Sequence, residues 1–158
     1  MRTLLLRTVL VIASVWGATI AAAAAPDPVV GTWQLNPSKS TFTAGPAFKS
    51  QTRTYTQSGP TITLVMKTVT ADGKEVTSET TYQLDGKDYP VKGTADYDSL
   101  SAHQVDSNTA NFTLKKGGKA AGTTTRTVSK DGKTLTTKTK LTTAKGEKSE
   151  SSMVFDKQ

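Results

Sequence analysis

From residue 30 onward, apolar and polar side chains alternate along short segments, and no window shows a helical stripe. In 74–84, Val76, Thr80, Tyr82 and Leu84 fall on one side, against Glu75, Glu79 and Gln83. In 109–115, Ala110, Phe112 and Leu114 oppose Asn111 and Lys115. In 133–142, Leu135, Thr137, Thr139 and Leu141 oppose Thr134, Thr136, Lys138 and Lys140. In 147–155, Met153 and Phe155 share a side with Ser149 and Ser151. A period of two places successive side chains on opposite faces of a strand. The pattern predicts strands near 30–35, 49–57, 61–69, 74–84, 87–92, 99–105, 109–115, 119–129, 133–142 and 147–155. Ten short strands in sequence, each followed by a short turn, predict an antiparallel up-and-down meander, and a meander of this length must close or fold over to remove its edges.

Glycine punctuates the pattern. Asp72-Gly73-Lys74, Asp85-Gly86-Lys87 and Asp131-Gly132-Lys133 predict two-residue hairpin turns of type I′, which need φ > 0 at both central residues. Ser58-Gly59-Pro60, Asp106-Ser107-Asn108, Lys116-Gly117-Gly118 and Ala144-Lys145-Gly146 predict looser turns. Residues 36–48 break the alternation. Pro37, Gly45 and Pro46 exclude a long helix there, leaving an irregular lid or a single helical turn after Asn36, with Ser38 or Ser40 as caps. Tyr89-Pro90 weakens the fifth strand, since proline cannot donate to a ladder, and predicts a gap or an edge.

The faces that should point inward are only half apolar. Threonine and serine occupy several of these positions, and each buried hydroxyl needs a partner. A barrel with a partly wet interior accommodates them better than a dry core does.

The N-terminus has a different character. Arg2 and Arg7 precede an apolar stretch from Val9 to Ile20, and Ala21 to Ala25 supply small residues of the kind a signal peptidase requires. This predicts a cleaved signal peptide over 1–24, with Ala23 or Ala25 as neighbouring cleavage positions, and an exported protein, periplasmic or extracellular. Residues 25–158 then form one domain. The apolar stretch is short for a membrane span of about 20 residues, and no second one follows.

The chain has no cysteine, so neither disulfides nor thiol chemistry enter. Its formal charge is +7, and +5 once Arg2 and Arg7 leave with the signal peptide. Residues 27–98 carry a net −1 and residues 99–158 a net +6. Lys116, Lys138, Lys140 and Lys148 lie on neighbouring hairpins and predict an outward basic face, suited either to solvation or to an anionic envelope component or a protein partner. Phe112 and Phe155 fall on the opposite faces, which argues against a nucleic-acid surface.

Few residues point to chemistry. His103 is the sole histidine, with no cysteine or clustered carboxylates to complete a metal site or a triad. It would serve as a strand residue or, in a small barrel, as a haem ligand. No nucleophile elbow, zinc-hydrolase motif or phosphate loop is present, and no enzyme activity, cofactor or metal is expected. Arg53 and Arg126 are the only arginines after residue 7. By parity Arg53 shares a face with Gln51 and Tyr55, and Arg126 with Val128. Facing inward, either guanidinium would bind a carboxylate or phosphate head. Facing outward, it would pair with Glu75 or Glu79. Tyr55, Tyr82 and Trp33 would line an apolar pocket or serve as core.

Gly31-Thr32-Trp33 opens the first strand as Gly-x-Trp, and in this the chain resembles the calycin superfamily of lipocalins and fatty-acid-binding proteins. The run Gly31 to Ser40, with Asp85 to Pro90 and Arg126 to Lys133, resembles a group of small secreted bacterial lipocalin-like proteins of unassigned function. The resemblance implies a closed barrel of about 8–10 strands with a cavity, and Trp33 packed across its closed end. It departs in three ways. Residues 36–48 cannot supply the two helices of fatty-acid-binding proteins, the last strand reads Met153-Val154-Phe155 without their Arg-x-Tyr clamp, and the disulfide of secreted lipocalins is missing. The expected function is a secreted or periplasmic binding protein for a small hydrophobic or amphiphilic ligand. The alternative is a surface-interaction protein using the basic face.

Overall fold

A computed structural model describes residues 25–43 and 48–158. The signal-peptide expectation falls on residues 1–24, outside the described residues, as do residues 44–47 of the irregular segment. The elements are β1 (Gly31–Leu35), a 3-10 turn (Pro37–Lys39), β2 (Thr41–Phe42), β3 (Ser50–Ser58), β4 (Thr61–Val69), β5 (Glu75–Tyr82) and β6 (Asp85–Lys92), then β7 (Ser99–Asp106), β8 (Thr109–Lys116), β9 (Lys119–Val128), β10 (Thr134–Thr142) and β11 (Lys148–Lys157). Each long strand from β3 to β11 pairs antiparallel with the next, and β1 pairs with both β3 and β11. The result is a closed ten-strand antiparallel barrel with meander topology, as the alternation predicted. Among the described residues no helix is long and apolar enough to cross a membrane.

The seam is made in two steps. β1 covers β11 with Leu35 opposite Phe155 and Trp33 opposite Lys157. The chain then turns at Pro37, and β2 continues along the same edge with Phe42 opposite Ser151. The described part of 36–48 is therefore a wall element, with a single helical turn, and not a lid. Its 3-10 turn has no side-chain cap at its start. Ser40 instead donates to the Asn36 carbonyl at 2.8 Å and accepts from Val154 N–H at 3.0 Å, which satisfies the kink where β1 gives way to β2.

The Asp-Gly turns differ from the predicted type. No residue other than glycine has positive φ among the described residues, which excludes type I′ at Asp72 and Asp131. Gly73 N–H donates to Thr70 O and Gly132 N–H to Ser129 O, with glycine alone in the left-handed region. Aspartate keeps an ordinary φ because its carboxylate accepts hydrogen bonds within the turn, from Ser129 Oγ and from Lys133 N–H at 3.1 Å. Thr143 and Gly146 repeat the arrangement without the aspartate. Gly117-Gly118, expected to be looser, has positive φ at both residues and joins Lys116 to its partner Lys119 as a two-residue hairpin. Asp85-Gly86-Lys87 is not a hairpin turn at all. It begins β6, where Gly86 at φ 78° lies beside a register shift between Asp85 and Asp88.

The Tyr89-Pro90 weakness is real. β5 and β6 share only two register pairs, Glu79 with Lys92 and Thr80 with Val91. Thr80 Oγ bridges the seam to the Pro90 carbonyl at 2.9 Å.

The meander gives the barrel two unlike ends. Val29, Trp33, Ile62, Tyr82, Val128, Leu135 and Phe155 are at most 1% exposed and pack at the end that carries the β3–β4, β7–β8 and β9–β10 turns. Trp33 Nε1–H donates to the Val29 carbonyl at 2.7 Å, so the indole closes this end with its polar atom satisfied. Gly31 packs against Lys157, whose ammonium lies 5.1 Å from the Trp33 ring.

Candidate functional site

The opposite half of the barrel is hollow. A cavity of about 480 Å³ runs from Arg126 and Tyr82 to the rim formed by the β4–β5, β6–β7 and β10–β11 connections. Most of its lining is apolar: Leu64, Met66, Val76, Leu100, Leu114 and Met153 contribute side chains. Alternation also delivers threonine and serine inward, including Thr80, Thr137 and Ser78, as the sequence pattern predicted. Phe42 and Phe48 meet edge to face at 5.9 Å near the rim, where Tyr97 and Asp96 of the β6–β7 connection also stand. Asp96 is held there by the Ala144 N–H at 2.9 Å.

All four residues singled out for ligand contact, Arg53, Tyr55, Tyr82 and Arg126, line this one cavity. Gln51, Arg53 and Tyr55 stand at alternate positions of β3 and all are buried, which rules out the outward pairing with Glu75 or Glu79. The faces are fixed by Tyr55, whose ring is favoured inside, and the arginine two residues away must follow it.

The two arginines have different surroundings. Arg126 donates through Nη2 to Asp27 at 2.7 Å and through Nη1 to the Tyr82 hydroxyl at 3.1 Å. The side chains of this ion pair are 3% and 6% exposed. Burial opposes the charge on Arg126, but Tyr82, Asp27 and Tyr55 together outweigh it and hold its pKa above the ordinary arginine value. Burial likewise pushes the Tyr82 phenol well above its ordinary 10, although the Arg126 charge pulls the other way, so Tyr82 stays protonated. Its oxygen accepts from Arg126, which leaves its proton to give.

Arg53 has no carboxylate within 4.0 Å among the described residues, and residues 1–24 and 44–47 contain no Asp or Glu. Its Nε donates to Gln51 Oε1 at 2.8 Å and its Nη1 to Thr137 Oγ1 at 3.4 Å, and its guanidinium lies 4.4 Å from the Phe155 ring centre. These neutral partners orient the cation without cancelling its charge. The Arg-x-Tyr spacing missing from the last strand is thus present in β3, as Arg53-Thr54-Tyr55. Tyr97 shares this region, and burial raises its pKa while the Arg53 charge partly counters the shift.

Gly31 and Trp33 serve the closed end, and Trp33 is core, not cavity lining. The four lysines lie outside, but Lys140 pairs with Glu150 at 3.4 Å and Lys116 with Asp98 at 3.9 Å, so the basic face is interrupted. Lys138 and Lys140 border a groove on the outer wall with Thr123 and Thr125. His103 is exposed on β7 and is not among the cavity-lining residues, so it cannot ligate an iron held inside. Among the described residues no group of three or more His, Asp or Glu gathers as a metal site would require.

Sequence reasoning did not find Asp27, Thr137 or Tyr97. Thr137 carried the right parity. Asp27 and Tyr97 lie outside any alternating segment and gave no signal of their own.

No family model and no curated protein matches the chain. Among solved structures, the barrel is similar to the crystal structure of Rv2717c from M. tuberculosis, with a TM-score of 0.52 and 14% sequence identity, over 83% of this chain and 93% of that one. At that identity the likeness concerns the fold: both are antiparallel β-barrels.

Proposed function

We propose that the protein is an exported, calycin-like binding protein for a small amphiphile, whose acidic head meets Arg53 and whose hydrocarbon part lies against Leu64, Met66, Leu100 and Leu114. The observation that carries this reading is a buried guanidinium without a carboxylate partner, facing a largely apolar cavity. A buried ion is tolerated when its charge is met by an opposite one, and truncating one partner of such a pair is strongly destabilising. An anionic head supplies that charge, with charge-assisted hydrogen bonds in a bidentate geometry. The cavity volume falls within the range of sites that enclose a molecule of drug-like size. The export part of the reading rests on the Arg2-to-Ala25 pattern. The alternative, a basic outer face acting on an anionic envelope component, has weaker support because Lys116 and Lys140 are already engaged with carboxylates.

Calorimetric titration with a medium-chain alkyl carboxylate tests the reading, alongside native mass spectrometry of the protein as purified. Arg53→Gln is expected to weaken binding about tenfold or more, the scale of one lost charge-assisted interaction. Wild-type protein that takes up no amphiphile in either measurement would overturn it.

A further inference from the structure

We infer that Asp27 sets the charge of the ligand head: by cancelling Arg126 it leaves the cavity one net cation at its polar end, and so selects singly charged heads over doubly charged ones. This rests on the reading of the cavity as an amphiphile site and specifies its ligand class.

The two guanidiniums are close neighbours. Thr137 stands opposite Arg126 in the β9–β10 register, and the same Thr137 hydroxyl accepts from Arg53. Tyr55, two residues from Arg53 on the same face, has its ring centre 5.9 Å from the Arg126 guanidinium. Without Asp27, two buried like charges would flank one threonine and would together present a dicationic cradle. Like charges at such range in a partly desolvated site repel strongly.

Asp27 is placed for this role by main-chain and side-chain bonds of its own. Its N–H donates to Gln57 Oε1 at 2.7 Å, its Oδ1 accepts from Val29 N–H at 2.9 Å, and its Oδ2 faces Arg126. It is not a cavity-lining residue, so it acts from behind Arg126 and leaves the space free. Arg126 then becomes an ion-paired donor that orients Tyr82, while Arg53 retains an unneutralised charge. Asp96, the acid that does line the cavity, belongs to the rim connection and lies beyond 4.0 Å of Arg53. It opposes a second anionic group placed further out.

Decanoate and decyl phosphate, titrated at a pH where the phosphate is mostly doubly charged, carry the same chain with different head charges. Wild type is expected to prefer decanoate. Asp27→Asn, which keeps the side-chain shape and one of the two acceptor oxygens, should shift the affinity ratio toward decyl phosphate by about tenfold or more, the effect of one uncompensated neighbouring charge. Arg126→Gln should do the reverse and weaken decanoate binding, because the Asp27 carboxylate, no longer paired with Arg126, then offsets the Arg53 charge from behind the cavity wall. The double variant restores one net charge and should return the ratio close to the wild-type value, and it strands no charge beyond the Arg53 cation already present in wild type. An unchanged ratio in folded Asp27→Asn, or a double variant with a phosphate preference, would refute the inference. Failure of wild type to bind either compound would instead refute the amphiphile reading beneath it.

Discussion

Single residues show where the wall has no room for adjustment. Gly122 has no left-handed φ, yet a Cβ built on it would stand 2.3 Å from the Lys140 carbonyl oxygen and 2.8 Å from Leu141 Cα. Both are backbone atoms of the neighbouring strand and cannot swing aside. The site adjoins the register shift where β8 passes from Leu114 to Lys115 against β9. Gly122→Ala should therefore destabilise the protein by about 1–3 kcal/mol, the cost of overpacking a close contact, seen as a lower urea midpoint at unchanged slope. Leu141 borders the cavity, so the same variant should also alter ligand affinity. Stability equal to wild type would show that β9 and β10 can separate locally. At this scale the sequence carries the glycine inside a strand but no sign of its reason, because the contact is made across strands.

Individual elements join through a recurrent turn. In Thr70–Lys74 and Ser129–Lys133 a hydroxyl and a backbone N–H converge on the aspartate, and these hydrogen bonds hold Asp72 and Asp131 below their ordinary 3.8. A carboxylate with a depressed folded-state pKa binds its proton less readily folded than unfolded. Its contribution to stability is thus complete above the unfolded value and is lost as pH falls through the lower, folded value. Thermal midpoints should drop between about pH 5 and pH 2, and Asp72→Ala/Asp131→Ala should flatten that drop without abolishing it. Asp85 and Asp156, lowered by their own partners, would retain the remainder. A pH profile identical to wild type would remove these turns from the account. Asp-Gly was legible as a turn in the sequence. Its type was not, because Asp can satisfy its carboxylate locally and leave the positive φ to glycine alone.

The whole molecule depends on one closure. β1 and β11, from opposite ends of the described chain, pair through Trp33, Gln34 and Leu35 with Lys157, Asp156 and Phe155, and Gln158 N–H donates to the Thr32 carbonyl at 2.9 Å. Removing residues 155–158 would take away this pairing, the fully buried Phe155 ring and the aromatic face beneath Arg53. The truncated protein is expected to lose cooperative unfolding and to self-associate through the exposed strand edges, as read by denaturation and size-exclusion chromatography. A cooperative monomer would mean that the remaining ladder suffices without the seam.

The sequence by itself determined the strands of the meander and their order, and, within the regular stretches, which side chains share a face. These follow from a period of two and from turn residues, both of which act within a few positions. It also placed Arg53 with Tyr55, and Thr137 with Leu135, on common faces. Only the tertiary structure decided that the Arg53 face lies inside, that Arg126 is neutralised and Arg53 is not, and that the space between them is hollow. Asp27 and Arg126 are 99 residues apart. Their meeting depends on barrel closure bringing the first described segment beneath β9, and no local periodicity encodes that contact.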